Sequence, residues 1–456
     1  MKKLLVISDY GPSELFAGGL VLNNQLAVLE NSFFIDYLLF SPHPDSYSFR
    51  AASPARVYSI SKPGERMPLI RSSLFKELFG ITYEQVLLNP YIKKQANFLS
   101  KLLSENNYDS VFITLEGSQV PQIVSLANFQ KSKIFLQYWD SEEWWAEVHN
   151  FSNYSYQKMM LAYSQIESSE KLERVIVPSI GMQSVLEERS PKLRGKIEVL
   201  YPPSSSEDFS GEIPSQLEEF LSRNDVNIMF SGSLYANSEI KQFMSALEGV
   251  NWNISGKSIG LIMFCAVSVY DYMPSSRNIY YGGRVPPQVV NQVATRANLL
   301  FLPYPLTNIA ISKSSFPSKL GMYCLHRKNI FVIAPGDSSL GIFLTQNHLD
   351  QFLVTDALER SVIRQLTKFI ENESAGKEQI IAVANTYSKY FSKQVFAGRF
   401  LQIFGLDPVR ANVDHESTEF VPHGNFVIKL NLVGRRILSV LRYMKRTFLG
   451  RRSPRM

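Results

Sequence analysis

Long apolar runs are missing from this chain. None of its 456 residues lie in an uninterrupted apolar stretch of the length a bilayer needs, so no membrane-spanning helix is expected. Cysteine is nearly absent. Cys265 and Cys324 stand alone, without metal-ligand spacing, which excludes a disulfide-stapled fold and suits a reducing compartment. Histidine is sparse, and His43, His149, His326, His348, His415 and His423 fall at no ligand spacing. There is no P-loop, no G-x-S-x-G, no H-E-x-x-H and no paired C-x-x-C, so the common nucleotide-hydrolase, serine-hydrolase and zinc chemistries find no support. Acid is absent after Glu419, whereas nine of the 47 Lys and Arg residues follow it, leaving the body about −3 and the tail +9. A uniformly basic nucleic-acid binder would not divide its charge this way, and no nucleic acid is expected as a partner.

What is present describes a globular protein of more than one domain: 45% hydrophobic residues against 19% charged. The start, Met1-Lys2-Lys3 before a short apolar run, reads as a first buried strand and not as a signal peptide. Short apolar runs recur at Leu4–Ser8, Phe34–Phe40, Ser110–Thr114, Ile134–Tyr138, Arg174–Pro178 and Ile197–Leu200. They recur again at Asn227–Phe230, Gly260–Phe264, Asn278–Tyr281, Leu299–Pro303 and Ile330–Ala334. Amphipathic helical patterns separate most of them. This alternation predicts α/β architecture, with parallel sheets covered on both faces. It appears twice, predicting two doubly wound domains at 1–200 and 223–405. The Pro/Ser-rich stretch after Tyr201 predicts a linker over 201–222. Residues 406–425 read as polar and irregular. Ligands of such sheets bind beyond the carboxyl ends of the strands.

One segment is unusually specific. After the strand ending Pro303-Tyr304 comes Phe316-Pro317-Ser318-Lys319-Leu320-Gly321-Met322-Tyr323. A proline in the first turn, then Ser-Lys and an apolar pattern, predicts a helix start able to attract an anion. An ordinary helix cap with a surface lysine has the same local pattern. The string resembles the nucleotide-sugar site of GT-B glycosyltransferases of the large retaining group (family-4-like), where "F-P-S-K-L-x-E-Y" opens a helix after a strand ending in Pro-Tyr. The match covers Phe316 to Leu320 and Tyr323. The glutamate that usually holds the donor ribose falls at Met322. The resemblance implies a GT-B fold, two Rossmann-like domains facing across a cleft. It also implies transfer from a nucleoside diphosphate sugar to a hydroxyl acceptor, with retention at the anomeric carbon. It calls for no cofactor and no metal, and the absence of Asp-x-Asp weighs against the metal-dependent GT-A type.

The resemblance extends, less specifically, to other loops. Gly18-Gly19 before the first helix is similar to the glycine pair that approaches the donor. Gly232-Ser233 resembles the strand-to-glycine turn against the donor phosphates, and Gly283-Arg284-Val285-Pro286 the turn whose backbone at Val285 holds the base. The expected donor contacts are therefore Gly18, Gly19, Gly232, Ser233, Val285, Pro317, Ser318, Lys319 and Leu320. Each glycine pair is also compatible with a plain turn. Trp139-Asp140-Ser141-Glu142-Glu143-Trp144-Trp145 follows a strand, and Asp140 is the candidate catalytic group, contacting the acceptor or acting as base. Asp140 or Ser141 could equally cap the next helix, and Trp144 and Trp145 could be core. Finally, Leu430, Val433, Ile437, Val440, Leu441, Met444 and Phe448 share one helical face, with Arg435, Arg436, Arg442, Lys445 and Arg446 on the rest. A basic amphipathic helix over 426–456 fits an anionic membrane surface; a partner helix, a face of its own domain or a basic nucleic-acid tail has the same pattern. The expected partners are a nucleotide sugar, a glycan or lipid-linked acceptor, and the inner face of a membrane, with a cytoplasmic location.

Overall fold

The computed structural model describes residues 2–12, 17–41, 55–203, 209–267, 273–407 and 419–422. By contacts the chain forms two compact units. The first comprises 1–137, 145–173 and 412–456; the second comprises 138–144 and 174–411. The basic segment 426–456 lies outside the described residues.

The first unit opens with β1 (Lys2–Ser8), α1 (Ala17–Leu29), β2 (Phe33–Ser41) and β3 (Arg56–Ser61). Next come α2 (Ser73–Thr82), α3 (Asn89–Asn106), β4 (Ser110–Leu115), α4 (Gln119–Leu126) and β5 (Lys133–Tyr138). After α5 (Glu142–Val148) and α6 (Asn153–Glu167), β6 (Leu172–Val177) leads out of the unit. β1 pairs in parallel with β2 and β4, and β2 with β3. Leu4 to Ile7 are wholly buried, as residues covered on both faces of a parallel sheet must be. β3 has no counterpart in the sequence reading. Its Arg-Val-Tyr-Ser-Ile-Ser alternates apolar and hydroxyl residues and lacks a continuous apolar run, yet Val57, Tyr58 and Ile60 are buried.

The second unit continues through α7 (Ile180–Arg189), β7 (Ile197–Val199), α8 (Ser215–Arg223), β8 (Val226–Ser231) and α9 (Asn237–Gly249). It then forms β9 (Asn253–Ile254), β10 (Lys257–Phe264), β11 (Ile279–Tyr281), α10 (Pro287–Arg296), β12 (Leu299–Pro303), α11 (Ile309–Ser314) and α12 (Lys319–Leu325). It ends with β13 (Asn329–Ile333), α13 (Ser339–Gln346), β14 (Leu353–Val354), α14 (Glu359–Glu371), α15 (Glu373–Thr386) and α16 (Lys393–Ile403). A last strand, β15 (Glu419–Pro422), pairs in parallel with β3 in the first unit. Part of the stretch expected as a linker is helical. In α8, Leu217, Phe220 and Leu221 recur at helical spacing and are buried, so packing overrides the polar composition around them.

The main sheet of this unit runs β11-β10-β8-β12-β13-β14, with its pairs parallel and only the short β9 antiparallel on β10. Alternate residues of β8 feed two apolar clusters, Met229 one and Ile228 and Phe230 the other. The chain leaves β8 toward β10 and β11, then returns to β12, β13 and β14 on its other side. The carboxyl ends of β8 and β12 therefore flank the topological switch point, where such sheets leave a crevice.

Candidate functional site

The expected donor residues Gly232, Ser233, Val285 and Pro317 to Leu320, together with Asp140, all belong to the second unit. Gly232 follows β8 with φ +120°, a conformation only glycine holds without strain. A Cβ there would strike Cε of Lys319 and come within 2.9 Å of its Nζ. The Lys319 ammonium donates to the Ser233 carbonyl at 3.3 Å, with ring centroids of Phe230 at 4.4 Å and Tyr235 at 5.1 Å. Aromatic faces attract a cation without neutralising it. Among the described residues Lys319 has no ion-pair partner. Loss of water pushes its pKa down from 10.5 to about 7. A half-buried amine with no ion-pair partner among the described residues, lying over the Gly232 turn, can receive an anion.

The helix start differs from the expectation. α12 begins at Lys319 with Ser318 as its cap residue, so Pro317 precedes the first turn. With seven residues α12 has a short dipole, so an anion at this point would be met chiefly by Lys319 and the Ser233 N–H. Ser318 caps no amide and is partly open. Leu320 is wholly buried in the core and its N–H donates to the Pro317 carbonyl at 3.1 Å, so its side chain faces no ligand. Val285 lies between β11 and α10 and packs against the same core. Met322 also packs there, so an apolar side chain stands where the resemblance calls for a carboxylate.

Asp140 joins this site. Ser315, two residues before Pro317, donates its hydroxyl to Asp140 Oδ1 at 2.6 Å. Burial raises the Asp140 pKa, and this hydrogen bond lowers it. Ser141, not Asp140, supplies the local cap, accepting from the Trp144 N–H at 3.3 Å. Tyr235 and Tyr304 stand edge to face at 5.9 Å, and their hydroxyls feel the Asp140 charge. The segment between α11 and α12 is braced from behind. Ser179, the cap of α7, donates to the Ser314 carbonyl at 2.5 Å, and Ser339 donates to the Lys313 carbonyl. Gly181 is required there, since a Cβ would collide with the Lys313 carbonyl.

Gly18 and Gly19 lie in the first unit. A Cβ on Gly18 would meet the ring of Tyr10 at 2.8 Å, so that ring occupies the approach expected for a ligand. The same unit holds an ionic cluster that the sequence reading did not find. Lys62 donates to Asp9 Oδ1 at 2.6 Å and to Glu65 Oε1 at 3.1 Å, and all three side chains are buried. Glu65 also accepts from the Ser118 N–H at 2.9 Å and from Trp145 Nε1 at 3.1 Å. Trp145 in turn stacks on His149 at 4.1 Å. Burial drives the Asp9 pKa up to about 7, against the pull of Lys62. Lys62 and the backbone donors hold Glu65 below the usual carboxylate range despite its burial. The three residues follow β1 and β3, at the carboxyl ends of the strands.

No protein-family model matches the chain, and no curated protein does. Solved structures do. A glycosyltransferase from Rickettsia africae matches with TM-score 0.57 at 12% identity, over 88% of this chain and 99% of that one. Anabaena HepE, solved with UDP and glucose, gives 0.57 at 13% identity over 89% and 100%. A UDP-GlcNAc 2-epimerase from Neisseria meningitidis, bound to UDP-GlcNAc, gives 0.50 at 9% identity over 89% and 98%. The chain has the GT-B fold. The expectation of paired Rossmann-like sheets is thereby met, and at these identities the likeness is one of fold, which by itself fixes no reaction.

Proposed function

We propose that this GT-B protein is a glycosyltransferase that moves a sugar from a nucleoside diphosphate sugar to a hydroxyl acceptor, in polysaccharide, glycolipid or envelope glycan assembly. The observation that carries the proposal is Lys319, unpaired, desolvated and folded over the Gly232 turn at the switch point of its sheet. The bond between the anomeric carbon and the diphosphate oxygen breaks, and the electron pair leaves with the diphosphate. Lys319, the Ser233 N–H and the Ser318 hydroxyl take up that charge, stabilising it more than the bound donor; the Gly232 N–H is held by the Phe264 carbonyl. The acceptor oxygen forms the new bond. Asp140, oriented by Ser315, binds that hydroxyl and draws on its proton. Val285 presents backbone to the base. The basic segment 426–456 holds the enzyme on the anionic inner face of a membrane, where a lipid-linked acceptor is found.

A panel of nucleotide sugars tests this. A true donor raises the melting temperature, since it binds only the native state. With an acceptor it yields a lengthened glycan. The epimerases that share the fold motivate a second arm. A donor returned with an inverted ring carbon and no transfer product would replace the transferase reading. The absence of any stabilising nucleotide sugar would refute both.

A further inference from the structure

Exposed apolar side chains are concentrated in one segment of the first unit. Leu69, Leu74, Phe75 and Leu78 lie within ten residues of one another, each between 52% and 82% exposed, and Val86 follows at 57%. On α2, Leu74, Phe75 and Leu78 fall in an arc of about 100°, opposite the face that packs on α6 through Gly80 and Ser152. Isolated exposed leucines need no explanation, but a clustered set does.

The charges around this ridge are sorted. Between residues 62 and 86 the acids are Glu65, Glu77 and Glu84, and each is used inside the fold. Glu65 is in the buried ionic cluster, and Glu84 is buried. Glu77 accepts the Asn153 and Tyr154 N–H groups at 2.7 and 3.1 Å, at the start of α6. The bases stay outward. Arg66 and Arg71 are exposed, Lys76 is half-buried, and among the described residues none of the three forms an ion pair. Within residues 62–86 the surface is therefore apolar and positive; an exposed acid, Glu147, stands on α5 two residues before His149, whose carbonyl accepts from the Met67 N–H.

We propose that the segment from Arg66 to Leu78 docks on an anionic lipid bilayer. α2 lies in the head-group plane, with Leu69, Leu74, Phe75 and Leu78 reaching the acyl boundary and Arg66, Arg71 and Lys76 meeting lipid phosphates. The charge decides against two other occupants. The chain's own segment 426–456 is also apolar and basic, so covering α2 with it would bring bases against bases. A second copy paired by a twofold axis would do the same. In its choice of partner the proposal rests on the peripheral-membrane reading given above, but it uses different residues.

Flotation of the full-length chain with phosphatidylcholine vesicles, with and without phosphatidylglycerol, tests it. The wild type should float only with the anionic vesicles. Arg71→Gln with Lys76→Gln should weaken partitioning about 30-fold at low salt, and less at high salt. Leu74→Gln with Phe75→Gln should abolish stable binding. Both pairs should keep the wild-type melting temperature and its response to nucleotide sugars, because the sites are exposed. A nucleotide response lost in every form would count against the transferase alone. Unchanged flotation of both pairs, with loss on Arg435→Gln and Arg436→Gln, would assign binding to the tail and overturn the proposal. So would a wild-type dimer that Leu74→Gln with Phe75→Gln dissociates without any vesicle binding.

Discussion

A nucleoside diphosphate sugar that binds against Lys319 should take up a proton. In the free protein the ammonium sits among Phe230, Tyr235 and the Ser233 carbonyl, and its pKa lies at about 7. At pH 7.5 about three-quarters of the molecules then carry Lys319 neutral, and at pH 6 about one-tenth. A diphosphate favours the charged form, so binding should take up about 0.75 proton at pH 7.5 and about 0.1 at pH 6. Affinity should be flat below about pH 6 and fall toward tenfold per unit above about pH 7.5. The nucleotide sugar is the ligand of choice because its bridging diphosphate does not titrate in this range. Calorimetric titration in buffers of different ionisation enthalpy reads the uptake directly. Lys319→Arg keeps the charge but cannot lose its proton, so its uptake should vanish. The sign for folding is separate. The native amine titrates below the unfolded one, so the unfolded state binds more protons between about 7 and 10.5. This group should therefore make the free protein more stable as pH rises through that window. Zero uptake at pH 7.5, or equal uptake in Lys319→Arg, would refute the assignment.

Other outcomes follow from the same geometry. Gly232→Ala should cost about 1–3 kcal/mol of stability from its φ of +120°, read by urea denaturation, and should lose donor binding by pushing Lys319 aside. Asp140→Asn should lower turnover with donor affinity kept and the melting temperature equal or higher, because it removes a buried charge; a matching loss of stability and activity would make Asp140 structural. Lys62→Met should destabilise by about 3–5 kcal/mol, since it strands two buried carboxylates.

Residues whose burial is continuous along the chain were legible in the sequence. The centres of β1, β12 and β13 (Leu4–Ile7, Leu299–Pro303 and Ile330–Ile333) are apolar without interruption because both faces of a parallel sheet are covered, and their order exposed the fold. The motif around Lys319 was legible because its glycine, proline and lysine answer to backbone geometry. β3 was hidden because alternate positions are hydroxyl residues buried beside polar neighbours. The Asp9, Lys62 and Glu65 cluster was hidden for a related reason. Charges separated by more than fifty residues look solvated until the sheet brings their strand ends together. Pro317 was expected in the first turn and stands one residue before the cap, because a proline before a cap and a proline after it read alike.

The pairing of Asp140 with Ser315 alters what the Ser-Lys segment can do. Residues 315 to 319 carry at one end the hydroxyl bonded to Asp140 and at the other the Lys319 amine, the two groups to which the proposal gives the acceptor and the leaving group. Ser179 and Ser339 fix the carbonyls of Ser314 and Lys313 just before this segment, so its start is tied to the ends of α7 and α13. If both assignments hold, two chemically distinct tasks, holding the leaving group and aiming the acceptor, share one short piece of backbone, and a substitution at Ser315 should alter turnover through Asp140 without altering donor affinity through Lys319. On the same proposal, the apolar Met322 beyond it offers a donor ribose no carboxylate at that position of α12, so donor recognition should fall more heavily on the diphosphate end, where Lys319 is the cation.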